Sequence, residues 1–249
     1  MHMLQRVLKI GMLLSLLFAC SIVSADTSDV STIDVSGTGT IKVAADQVEV
    51  SLAVITKGVD IGAIQRENAD KMTRIISALK SNAGLLDKEI STSHFSVSEE
   101  WNPSDALKTA FGREAQIYRV SNTISVITGK VDNAGTIIDV AIANGANSVD
   151  SLQFSLTAAT NRKYREEALQ IAVEKATADA TVVTKALGKK VGTPSYVQVG
   201  SSFVTPLRVN RAFNAVASFD AEMLGGVSTP IQAGEVEVSA SVSITYTMV

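Results

Sequence analysis

Between residues 33 and 43 apolar and polar side chains alternate: Ile33, Val35, Ile41 and Val43 fall on one phase, and Asp34, Ser36, Thr38, Thr40 and Lys42 on the other. The period is that of a half-buried strand. Gly37 and Gly39 occupy the inward phase, where a missing side chain lets another backbone come close or permits a bulge. After Ala45-Asp46 a second strand runs from Val48 to Thr56 with Val48, Val50, Leu52 and Val54 inward, and the two strands read as a hairpin. Asp60 is placed to cap a helix to about Ala83, its apolar stripe made of Ile61, Ile64, Met72, Ile75 and Leu79, with Gly84 as the stop. Asn68 interrupts that stripe. A buried amide is costly unless hydrogen-bonded, so Asn68 is expected to be a structural residue bonded to a neighbouring strand or loop.

Strands follow at Ile90 to Val97 and Ile117 to Thr128. A short helix from Asp132 through Ile137, Ile138 and Ile142 closes at Asn144-Gly145, and another strand runs from Asn147, a second structural polar residue, to Leu156. From Val48 onward the order is β-α-β-β-α-β, the ferredoxin-like arrangement. The longest helix is expected from about Asn161 to Leu187, with Ala168, Ala172, Ala176, Ala180, Val183 and Leu187 on one narrow face. Small side chains there let a helix lie close to its neighbour. The last strand, Val236 to Met248, alternates most cleanly and is expected to pair inside the sheet beside the first hairpin. The predicted fold class is α+β.

Two stretches carry no such periodicity, about 99–114 and 200–234. They hold Trp101 and Phe111, and Phe203, Leu207, Phe213, Phe219, Met223 and Leu224. Apolar side chains in long loops either tuck back onto the domain or meet another subunit, and we read these as candidate assembly loops.

The N-terminus changes the picture. Arg6 and Lys9 precede an apolar run from Ile10 to Val23, and Val23-Ser24-Ala25 offers small residues for cleavage between Ala25 and Asp26. Residues 1–25 therefore read as a signal peptide and 26–249 as a single exported domain, periplasmic or extracellular. Two competing readings keep the chain at a membrane: lipid modification of Cys20, since Leu17-Phe18-Ala19-Cys20 loosely resembles a lipobox, and an uncleaved anchor. Cys20 is the only cysteine, so cleavage after Ala25 leaves no thiol for a disulfide, a metal or a nucleophile.

The formal net charge is −3 and no basic block is present, which argues against nucleic acid as a partner. His94 is the only histidine beyond the leader; a metal site would need carboxylates alone around it, and no Gly-x-Ser-x-Gly turn accompanies the many serines. Gly37-Thr38-Gly39 lacks the third glycine and the following helix of a phosphate loop. No catalytic, cofactor-binding or metal residue is assigned. The rival to a non-enzymatic protein is an enzyme or peroxide-handling protein with a site built from carboxylates, His94 and Tyr118.

A succession of pieces resembles one family, the SIMPL-domain proteins, which include periplasmic immunogenic and oxidative-stress defence proteins. The pieces are Val35-Ser36-Gly37-Thr38-Gly39 with Ala45-Asp46, Asn68 with Leu79-Lys80, Ile90 to Val97, Tyr118 to Asn122, Gly145 to Val149 leading to Phe154, the alanine-rich helix, and Pro230 to Glu235. The resemblance implies an exported, often oligomeric α+β domain, with ring- or channel-shaped assemblies in some members. It also implies a loose association with oxidative stress or envelope maintenance, without an established reaction. Ala45 stands where many members have proline, and the two irregular stretches match nothing in the family pattern. The partners expected are a second copy of the chain and another envelope protein, with membrane contact only through the leader or a lipidated Cys20.

Overall fold

A computed structural model describes residues 30–100, 104–111, 116–208, 213–214 and 230–249. Among the described residues there are ten strands: β1 (Thr32–Ala44), β2 (Gln47–Gly58), β3 (Ile90–Glu99), β4 (Tyr118–Thr128), β5 (Ser148–Ser155), β6 (Val191–Val199), β7 (Phe203–Thr205), β8 (Leu207–Arg208), β9 (Phe213–Asn214) and β10 (Glu235–Met248). Among the same residues four α-helices are interleaved with them: α1 (Ile61–Asn82), α2 (Asp105–Phe111), α3 (Ala134–Ala143) and α4 (Ala158–Ala186). The fold is α+β, with two antiparallel sheets.

In the central sheet the strand order is β3-β4-β2-β5, extended past β5 by the two-residue strands β8 and β9. With α1 packed on β2 and β4, and α3 against α1 and β2, this is the expected ferredoxin-like β-α-β-β-α-β unit. Its core joins Val48, Val50, Leu52 and Val54 to Met72, Ile75, Leu79, Ile124, Val126, Ile137 and Phe154. Asp60 caps α1 by accepting the Ala63 N–H at 3.1 Å. Gly84 follows that helix with φ at +65°, a conformation only glycine takes without strain. Ile61, expected on the buried stripe, is 39% exposed because it sits in the first turn, ahead of the strands that α1 covers.

The terminal sheet is where the sequence reading needs correction. β1 and β2 do not form a hairpin: β1 pairs along its full length with β10, from Thr32 opposite Thr247 to Ala44 opposite Glu235, while β2 pairs with β4 and β5. The chain changes sheets at Ala45-Asp46. β10 lies between β1 and β6 and also pairs with β7.

Helix α4 lies on β1 and β10, closest to the chain at Gly37 and Gly39. Ala168, Ala172, Ala176 and Ala180 are fully buried there, and the row continues at a step of four to buried Thr184; Val183 and Leu187, expected on the same face, are 45% and 62% exposed, because that step turns Val183 aside and Leu187 is the C-cap past the helix. The helix also starts earlier than its periodicity suggests, with Thr157 as N-cap. The two aperiodic stretches carry some regular structure, α2 in the first and β7, β8 and β9 in the second.

Candidate functional site

Consider first the polar residues that hold the fold. Asn68 is 1% exposed, and its amide donates to the Val54 carbonyl at 2.9 Å, with longer contacts to the Val120 carbonyl and the Thr56 hydroxyl, both at 3.4 Å. It ties α1 to β2 and β4 at once. Asn147 grips the Ile55 backbone from both sides, accepting its N–H at 2.8 Å and donating to its carbonyl at 2.7 Å. The side chain thereby continues the β2–β5 ladder beyond the last strand residue.

Sequence reasoning missed Asp46. At the point where the chain passes between sheets, one Asp46 oxygen accepts the Thr157 N–H at 2.6 Å, and the other accepts the Thr157 and Thr160 hydroxyls. One carboxylate therefore fastens the sheet junction to the N-terminus of α4. The signal was present as Thr157 and Thr160 ahead of the alanine row, a capping pair, although their partner 111 residues earlier was not visible. Burial pushes the Asp46 carboxyl up, but the Thr160 hydroxyl and the Thr157 N–H and hydroxyl outweigh it, so it titrates below its ordinary range. Glu89 is likewise depressed, chiefly by the Leu86 N–H and then by the Thr128 hydroxyl.

A depressed folded-state pKa contributes stability above the unfolded-state value, and that contribution is lost as pH falls through the folded value. Asp46→Asn is therefore expected to cost about 2 kcal/mol at neutral pH, from charge-assisted hydrogen bonds and a helix cap. The difference from wild type should shrink in acid. Urea unfolding of both proteins across the acid range checks this, and a gap that stays constant down to the lowest pH would contradict it.

His94 and Tyr118 do not converge. His94 pairs with Thr123 on the face of the central sheet away from α1, whereas Tyr118 shares the helix face with Val120 and Asn122 and donates its hydroxyl to Gln116 at 3.0 Å. The sheet itself separates them, so a joint site is ruled out by strand parity. Among the described residues no three His, Cys, Asp or Glu side chains come together as metal ligands. A cavity of roughly 100 Å³ between α1 and the start of β3, lined by Ile76, Lys80, Asp87, Ile90, Thr92 and Ile124, is smaller than the several hundred Å³ of a metabolite pocket.

What the structure does offer is apolar surface at sheet margins. Helix α1 covers β2, β4 and the start of β3 and leaves the helix face of the rest of β3 open among the described residues, where Phe95 is 50% and Val97 41% exposed. Phe203, on β7 at the margin of the terminal sheet, is 66% exposed, and Phe111, on α2, is 40% exposed. The backbones of Leu207 and Phe213 pair with β5, opposite Phe154 and Val149. Trp101 and Phe219, the Ala25–Asp26 junction and Cys20 lie outside the described residues.

Residues 33–246 match the model of the SIMPL family, described as a protein of unknown function (DUF541). The chain belongs to the SIMPL family. It is similar to the 26 kDa periplasmic immunogenic protein of Brucella melitensis biotype 1, 24% identical over 220 residues covering 88% of this chain and 86% of that protein. It is also similar to the uncharacterized protein YggE of Escherichia coli K12, 22% identical over 183 residues covering 74% and 71%. Neither name specifies a reaction. The SIMPL match includes both sheets and α4, so the junction at Asp46 and the glycine seat of α4 lie inside the family region. Among the described residues no helix is long and apolar enough to cross a membrane.

Proposed function

We propose that this SIMPL protein is exported to the periplasm or beyond and acts there without catalysis, as a self-associating binding or scaffolding module of the cell envelope. The observation that carries the reading is the exposed apolar side chains at the margins of both sheets, Phe203 at 66% and Phe95 at 50%. Large aromatics held out from a rigid platform are the usual anchors of protein contacts. The Arg6–Ala25 leader and a relative named as periplasmic support export. Resemblance to oxidative-stress defence proteins supports a duty in that response, with another envelope protein as a further partner.

Light scattering on residues 26–249 tests the mechanism. The expected mass is a multiple of the monomer, and Phe203→Ser is expected to lower it while the circular dichroism stays native. A monomer at every concentration would overturn the proposal.

A further inference from the structure

Two sheets have four lateral edges, and natural proteins blunt such edges because unpaired main-chain groups recruit other strands. Two of the four are blunted here, and a third, β1, is engaged at one point. On β1, the bonds Met248 N–H to Ser31 carbonyl and Ala45 N–H to Gly234 carbonyl fix the alternation, so that even-numbered residues turn their main-chain groups outward. One of those outward carbonyls, Thr38, is already taken by Lys175 of α4 at 3.0 Å. On β6, Pro194 and two register shifts break the edge. Beyond β5 the sheet ends in β8 and β9, two residues each.

The fourth edge, β3, has one bulge at Ser93 and then runs regularly from His94 to Glu99. Glu100 N–H donates to the Ile117 carbonyl at 2.8 Å, which makes the even residues of this segment the ones bonded to β4. Phe95, Val97 and Glu99 therefore present their N–H and C=O groups outward. Two of these three also carry the exposed apolar side chains.

We infer that this edge pairs antiparallel with the same edge of a second copy, Phe95 opposite the partner's Val97 and Val97 opposite the partner's Phe95, around a two-fold axis at Ser96. The inference rests on the self-association proposed above and gives it a surface. Three features select a second copy as the occupant. The register is self-complementary, setting an aromatic across from a β-branched side chain twice, a favourable cross-strand combination. It joins outward Phe95 and Val97 to the same two residues of the other copy, so their main-chain groups are satisfied on both sides, and the ladder stops at the Ser93 bulge. Charge permits it as well: Glu99, the one carboxylate of the segment, falls opposite the partner's Ser93 and well away from its own copy. A two-fold axis perpendicular to the sheet keeps both α1 helices on one side, so the four apolar side chains form a single patch between them.

The register fixes the experiment. Ser96 and its copy form a pair without mutual hydrogen bonds, whose Cα atoms lie about 4.5 Å apart, inside the range a disulfide bridges. In the cysteine-free chain 26–249, Ser96→Cys is expected to give a covalent dimer under mild oxidation. Ser98→Cys, which faces His94 of the other copy, is expected to give none. Val97→Pro removes an outward N–H without costing a bond to β4 and is expected to halve the mass.

If the wild-type chain associates but Ser96→Cys stays uncrosslinked and Val97→Pro leaves the mass unchanged, the edge pairing is wrong and another surface assembles the chain. Equal crosslinking of Ser96→Cys and Ser98→Cys would also overturn it, because that denotes collision without register. A monomeric wild type would remove both this inference and the reading beneath it.

Discussion

Gly37→Ala is expected to destabilise the protein by about 3 kcal/mol or more, lowering its melting temperature by roughly 10 °C. A Cβ built on Gly37 would lie 1.9 Å from the Ala172 carbonyl oxygen and 2.9 Å from the Ala176 nitrogen; one on Gly39 would lie 1.9 Å from the Ala168 carbonyl oxygen. These are backbone atoms of α4, so no rotamer change makes room. The helix has to rise by more than about 1 Å to restore ordinary contact distances. That lifts Ala168, Ala172, Ala176 and Ala180 off the sheet together, since alanine has no length to span a gap. Gly129→Ala is the control: its Cβ would meet nothing nearer than 3.6 Å, and the change should be close to neutral. Thermal and urea unfolding of the three proteins decide the matter, and a Gly37→Ala variant as stable as the control would refute the close-packed seat.

Removing Glu235–Val249 should abolish cooperative unfolding. β10 pairs with β1, β6 and β7, so its loss strips the terminal sheet of its centre and α4 of half its floor. The truncation also withdraws Val236 and Val238 from the main core, and Val242, Ile244 and Tyr246 from the cluster beneath α4. Differential scanning calorimetry on the truncated chain is the check. A soluble product with a sharp, native-like transition would contradict the placement of this strand.

Much of the fold was legible because periodicity reports burial. The strands β1, β2 and β10 alternate in the sequence as they do in the structure, and the order of elements from Val48 to Leu156 already implied the ferredoxin-like unit. The false hairpin shows where periodicity stops. Two alternating runs separated by Ala45-Asp46 look alike whether they pair or part, because alternation fixes which face is inward but not which neighbour lies alongside. The decisive contacts, Asp46 with Thr157 and β1 with β10, join residues more than a hundred positions apart. Val183 and Leu187 failed for a different reason: the buried row keeps a step of four to Thr184, where the apolar pattern suggested a step of three to Val183, and Leu187 falls past the last helical turn. The open edge of β3 was the least visible of all. The expected strand from Ile90 to Val97 says nothing of whether a helix covers Phe95 and Val97, and α1 covers β2 and β4 and stops short of them.

The pairing of β1 with β10 also dictates an order of assembly. Residues 47–155 hold every main strand of the central sheet and both helices packed on it, so those strands pair over short loops as their residues become available, but their core stays open until Val236 and Val238 arrive on β10. β1, made first, has to wait for the last fourteen-residue strand before it finds its partner. During synthesis the chain therefore carries an unsatisfied N-terminal strand, and the terminal sheet zips shut only when β10 is free.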